Sequence, residues 1–129
     1  MSETPLARKL GVKAGERLLV CRAPQGWSVH GLPERVSVVQ EAEHADVVVA
    51  FVRRAEELRG LAGELAEVAW PDGALWVAWP RRAAGHRSDV TDNTLRAALL
   101  PVGLVDVKVA ALDDDWSGLK FVWRKELRA

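Results

Sequence analysis

The chain has 129 residues, 49% hydrophobic and 28% charged, which is the make-up of one globular domain (1–129) and excludes a disordered segment. Lys+Arg and Asp+Glu number 18 each, so the net charge is zero and nothing global draws the chain to nucleic acid or an anionic membrane. The one cysteine, Cys21, excludes an internal disulfide, and residues 1–15 lack a signal-peptide core. No apolar run reaches the roughly 18 residues of a membrane helix, so the expectation is a soluble cytoplasmic protein.

Thr4-Pro5 suits the start of a short helix, 4–11, with Thr4 as cap and Pro5 at the first helical position. Gly11 can end it in the left-handed region. Leu18 to Cys21 is a continuous apolar run, the signature of a strand covered on both faces. A loop, Ala23-Pro24-Gln25-Gly26-Trp27, follows, with room for one helical turn before Gly31. Val36 to Val39 reads as a second strand and Ala45 to Val52 as a third, rich in β-branched valine. From Arg53 to Ala69 the period becomes helical: Leu58, Leu61, Leu65 and Val68 recur on one face.

Pro71-Asp72-Gly73 turns the chain into a strand from Ala74 to Trp79, ended by Pro80. Trp76 and Trp79 are three apart and so face opposite sides of that strand, with Trp76 in the core. A basic loop follows, Arg81 to Asp89. Thr91 can cap the next helix, with Val90 and Leu95 as a hydrophobic staple. Val105, Val107 and Val109 alternate with Asp106 and Lys108, which predicts a strand with one wet face. Asp113 to Gly118 turns the chain, with Asp115 placed to bond backbone N–H groups of Ser117-Gly118. Leu119, Phe121 and Trp123 alternate in a last strand, hairpinned to the one before. Alternating strands and helices predict an open, mostly parallel α/β sheet of about six strands. Helices should lie on both faces, with an antiparallel hairpin at the end.

This layout resembles a shortened class I methyltransferase, a Rossmann-like fold, with one strand-helix pair missing between Val39 and Ala45. A second resemblance, carried by TPLARKLGV (4–12), PDGALWVAWPRRAAG (71–85) and GLVDVKVAALDDDWSGLKFV (103–122), is to a family of small bacterial proteins classed as a domain of unknown function. The methyltransferase likeness implies S-adenosylmethionine in the loop after the first strand, which there carries an acid and several glycines. Here that loop is Arg22-Ala23-Pro24-Gln25-Gly26, with one glycine, no acid, and a proline that lacks an N–H. Under that implication Ala23 and Gly26 would approach the cofactor, and Glu41 or Glu43, after the second strand, would meet its ribose. The Asn/Asp-Pro-Pro-aromatic signature of amino methyltransferases is absent after Phe51.

In open α/β sheets ligands bind beyond the carboxyl ends of the strands, where strand order reverses. The expected topology brings Trp27, His30, Arg53, Trp79, Arg81, Arg82, His86, Arg87 and Trp116 to that edge. Arginines there suit a phosphate or carboxylate, and the tryptophans suit a ligand ring or a lid on the core. Asp113, Asp114 and Asp115 read as a solvated turn, since adjacent carboxylates diverge and no metal-loop pattern accompanies them. His30, His44 and His86 lack zinc spacing, no nucleophile motif appears, and Cys21 reads as a small buried strand residue.

Two functions follow as expectations. The first is a non-catalytic small-molecule-binding or protein-interaction module on a methyltransferase-like fold with a degenerate cofactor loop. The alternative is a minimal S-adenosylmethionine-dependent methyltransferase. Zero net charge argues against a third, RNA binding through the basic loop. A hairpin strand at the sheet edge leaves strand-edge homodimerisation open.

Overall fold

The computed structural model describes residues 5–128, so Thr4, the expected cap, lies outside the described residues. Six strands form: β1 (Arg17–Cys21), β2 (Ser37–Val39), β3 (Val47–Phe51), β4 (Ala74–Pro80), β5 (Leu104–Ala111) and β6 (Trp116–Trp123). Three α-helices accompany them: α1 (Leu6–Leu10), α2 (Leu61–Ala69) and α3 (Asp92–Leu99). The sheet order is β2-β1-β3-β4-β6-β5. The first four of these strands pair in parallel, and β6 runs antiparallel to both of its neighbours. This is the open, mostly parallel sheet with a closing antiparallel hairpin that the sequence predicts.

β3 is buried at every residue, as a central parallel strand must be. Alternation sends Val48 and Ala50 to one face, where Leu65, Ala66, Leu95 and Leu99 of α2 and α3 cover them. Val47, Val49 and Phe51 go to the other face, with Leu10 of α1, Leu18 and Trp76. Trp79 packs against the α2/α3 face, opposite Trp76, as the spacing requires. Trp123 is only partly buried on that face, and its indole N–H donates to the Ala66 carbonyl over 2.8 Å.

α1 starts at Leu6, so Pro5 precedes the helix rather than opening it. Gly11, at φ +83°, turns the chain out of the helix, and the N–H groups of Gly11 and Val12 both return to the Ala7 carbonyl. The indole N–H of Trp76 then donates to the Leu10 carbonyl over 3.0 Å, tying this short helix to the middle of the sheet.

The helix expected from Arg53 to Ala69 is broken. A 3-10 turn spans Ala55–Leu58, Arg59 is extended, and Gly60 at φ +75° opens α2. Glu57 starts this segment, because its carboxylate takes the backbone N–H groups of Arg53 and Arg54 and so caps the tight turn instead of a longer helix. α3 begins as expected: Thr91 and Thr94 cap each other reciprocally, and Val90 and Leu95 are both buried. Gly73 has a different reason to be glycine. A Cβ there would lie 2.7 Å from the carbonyl oxygens of Ala45 and Ala69.

The helix-free connections decide where a site can form. Residues 22–36 join β1 to β2 with no helix, so the helical turn expected before Gly31 does not form. Residues 40–46 join β2 to β3 directly, where the missing strand-helix pair was inferred. So short a crossover works because β2 ends beside Leu19 and β3 starts beside Leu18. The chain therefore moves sideways by two strand spacings, about 10 Å, without travelling back along a strand.

β5 overturns one expectation. A bulge between Asp106 and Lys108 shifts its register, so Val107 and Val109 are 52% and 61% exposed and do not form a buried face. Lys108 instead lies opposite Lys120 of β6 and over the Trp76 ring. β5 is an edge strand, as is β2.

Candidate functional site

From β1 the chain goes to one side of the sheet, to β2, and it then returns past β1 to β3 on the other side. The order therefore reverses between β1 and β3, and a crevice is expected beyond their carboxyl ends. A groove of about 870 Å³ opens at this edge, on the β1/β2 side. Val20, Trp27, Val29, Leu32 and Val38 give it apolar walls, while Ser28, Gln40 and Glu41 give it polar ones. Its size lies within the range of small-molecule pockets. Trp27, Ala23, Gly26 and Glu41, all singled out from the sequence, border it together.

Arg22 closes the crevice at the reversal point. It sits at φ +62°, unusual for a residue with a side chain. Its Nε donates to the carbonyl of Phe51, the last residue of β3, over 3.1 Å, and its Nη2 pairs with Glu57. The guanidinium thus lies across the ends of β1 and β3. Burial alone would raise the Glu57 carboxyl, but the N–H groups of Arg53 and Arg54 and the Arg22 charge outweigh it and hold the carboxyl below its ordinary value. Cys21 is half-buried in the groove wall and less enclosed than expected. Burial pushes its thiol up, more than Arg22 pulls it down, so it is a neutral thiol and a poor nucleophile.

An aromatic wall bounds the groove. Trp27 and Trp116 each meet the buried Phe51 edge-on, at 4.7 and 4.9 Å between ring centroids. The Trp27 indole N–H donates to Asp113 over 3.1 Å. Across this wall a second cavity, of about 430 Å³, is lined by Arg53, Pro80, His86, Arg87, Asp115 and Trp116. A third, of about 370 Å³, is bordered by Trp79, Arg81, Arg82 and Thr91.

The basic loop is therefore divided. Arg87 fronts the second cavity and Arg82 the third. Arg81 is taken by the hairpin turn: its Nη1 donates to the carbonyls of Asp113 and Asp114, at 3.2 and 3.3 Å. His30 is exposed, lines none of these cavities, and offers its carbonyl to the Ala7 N–H over 3.1 Å. Asp115 does not hold the Ser117-Gly118 turn. Asp113 takes the N–H groups of Asp115 and Trp116, both at 2.8 Å, and Asp115 pairs with His86. Among the described residues no group of three metal-ligating side chains converges, and no helix is long and apolar enough to cross a membrane. No local pattern announces the Arg22–Glu57 bridge, since its partners are 35 positions apart and neither belongs to a motif.

Solved structures place this architecture. A SAM-dependent methyltransferase from Aquifex aeolicus matches with a TM-score of 0.59 at 14% identity, covering 90% of this chain and 86% of that one. The chain has a methyltransferase-like α/β fold. A TehB-like SAM-dependent methyltransferase from Corynebacterium glutamicum also scores 0.59, at 11% identity over 92% of this chain and 85% of that one. A fibrillarin pre-rRNA processing protein from Methanococcus jannaschii scores 0.55 at 13% identity, over 95% and 70%. At these identities the likeness is one of fold. No family model and no curated protein sequence matches the chain, so the resemblance to a small bacterial family gains no support from them.

On a methyltransferase-like fold the natural question is whether S-adenosylmethionine fits. Glu41 borders the groove just after β2, where a ribose carboxylate is implied, and the volume is sufficient. The other end does not fit. Pro24 offers no N–H, and the Arg22 guanidinium occupies the reversal point, fixed by Phe51 and Glu57. The residues present therefore supply part of a cofactor cradle and obstruct the rest.

Proposed function

We propose that the chain is a non-catalytic module that binds a small molecule or a protein segment at the carboxyl edge of its sheet. The observation that carries this reading is the Arg22 guanidinium bridging the ends of β1 and β3. A ligand at the reversal point would have to displace that side chain, and the thiol in the groove wall, Cys21, is not activated. The ligand would lie along Trp27 in the groove, with Trp116 and Arg87 beyond the aromatic wall and Trp79 and Arg82 beside the third cavity. Arg81 would act through the turn it holds, and His30 through the loop that carries Trp27. Self-pairing along the exposed edge of β5 would be one way to use the protein-interaction half of this reading.

One observation favours a second reading, a minimal S-adenosylmethionine-dependent methyltransferase: Glu41 stands at the groove wall where a ribose would be met. Calorimetry with S-adenosylmethionine and S-adenosylhomocysteine separates the two. The first reading, with its degenerate cofactor loop, expects no micromolar heat with either compound; micromolar binding of either one overturns that loop assignment and favours the second reading. Native mass spectrometry of the purified protein would reveal a co-purifying ligand directly.

A further inference from the structure

The second cavity lies outside the groove, and its chemistry is different. We infer that it is a phosphate-binding site, formed by Arg53 and Arg87 against the face of Trp116. It gives Arg87 and Trp116, candidate contacts of the proposed edge site, a ligand class of their own, and an empty groove would leave it standing.

The argument starts from the carboxylates. Glu56, the acid nearest to Arg53 in sequence, pairs with Arg54, and the oxygens of Glu57 are committed to the backbone N–H groups of Arg53 and Arg54 and to Arg22. Asp115 lines the cavity and is held by His86 Nε2 at 2.9 Å. Asp89 turns its carboxylate to the Ala55 N–H, at 2.9 Å. Each acid around the cavity thus has another partner. Among the described residues no ion pair involves Arg53 or Arg87.

Arg53 is nevertheless oriented. Its Cζ lies over the Trp116 ring, 5.2 Å from the centre, a cation–π contact that holds the guanidinium at this face. The opposite wall is fixed as well. Ser88 donates its hydroxyl to the Arg53 carbonyl over 2.7 Å, and the Arg81 N–H donates to the Asp115 carbonyl over 2.9 Å. The loop carrying His86 and Arg87 is thereby tied to the ends of β3 and β6. Two guanidiniums, one imidazole and one carboxylate already hydrogen-bonded to that imidazole face one small volume. Two guanidiniums against that one carboxylate leave the volume with an excess of positive charge. Two planar forks of N–H donors match the several oxygens of a phosphate better than the two of a carboxylate.

The test is a titration of the full chain at constant ionic strength, read by amide and indole NMR shifts and by calorimetry. Inorganic phosphate, a simple phosphate monoester and acetate form the three arms. Saturable phosphate binding is expected, with the largest shifts at the Trp116 indole and residues 85–89. Arg53→Ala and Arg87→Ala should each weaken it roughly tenfold, and Arg53→Lys, which keeps charge but loses the fork, should fall between. Arg54→Ala should bind as the parent does. A monoester that binds more tightly than free phosphate identifies the group as one end of a larger ligand, whereas equal affinity identifies free phosphate. Acetate binding as tightly as phosphate would overturn the assignment. So would unchanged affinity in the Arg53 and Arg87 variants, or shifts centred on the facing pair Lys108 and Lys120.

Discussion

Arg22 at the end of β1 donates to the carbonyl of Phe51 at the end of β3, over 3.1 Å, and the same guanidinium pairs with Glu57. One side chain thereby laces the two parallel strands together at the place where the strand order reverses. Its backbone is strained at φ +62°. Arg22→Gly loses the bridge and relieves the strain, while Arg22→Ala loses the bridge and keeps it. Glycine should therefore be the more stable variant by about 1 kcal/mol, and both should fall below the parent in urea unfolding. Alanine proving equal to glycine would show that the positive φ carries no cost.

Glu57 should make stability depend on acid. Its folded carboxyl lies below the ordinary value of 4.5, so its contribution is present above that value and is lost as pH falls through the lower folded value. Glu57→Gln should be less stable than the parent at neutral pH and should lose less on acidification. Melting curves from neutral pH down to the acid range check this. Parallel curves for the two proteins would remove Glu57 from the account.

Phe51 is fully buried between Trp27 and Trp116. Phe51→Ala should cost about 3–5 kcal/mol and should collapse the near-ultraviolet circular dichroism of the tryptophans. Phe51→Leu should recover most of the stability but not that signal. If the alanine variant kept the parent's spectrum, the three rings would not be acting as one packed wall.

Trp76 reaches the Leu10 carbonyl through its indole N–H at 3.0 Å. Trp76→Phe keeps much of the apolar bulk and leaves that carbonyl without its donor, at a cost of about 1–3 kcal/mol. The loss should show first as faster amide exchange in α1. Uniform acceleration throughout the sheet would point to a simple packing defect.

Gly73 allows the turn before β4 to approach Ala45 and Ala69. Gly73→Ala would set a Cβ 2.7 Å from two backbone oxygens, neither of which can move as a side chain would. A loss of about 1–3 kcal/mol is expected in thermal or urea unfolding, and a neutral result would mean that this corner is looser than it is drawn.

Much of this fold could be read from local pattern. The apolar runs at Leu18–Cys21 and Val47–Phe51, the Thr91 cap and the Pro71-Asp72-Gly73 turn each announce their element within a few residues. The misreadings share a cause. The bulge at Asp106/Lys108 depends on pairing with β6, and the break before Gly60 follows a tight turn in which the Glu57 carboxylate reaches back three and four residues. The donors to that carboxylate are the N–H groups of Arg53 and Arg54, and neither feature leaves a periodic trace. The site was legible as an edge but not as chambers. The loops 22–31 and 80–89 could be assigned to one end of the sheet, but three-dimensional packing alone divided their residues among separate cavities and drew Arg81 into the hairpin turn.

The wall of Trp27, Phe51 and Trp116 has two wet sides. Trp27 lines the large groove, Trp116 lines the second cavity, and each meets Phe51 edge-on. If an occupant of one chamber shifts that shared ring, it changes the wall offered to an occupant of the other. By thermodynamic reciprocity, any help or hindrance in affinity must be the same in both directions.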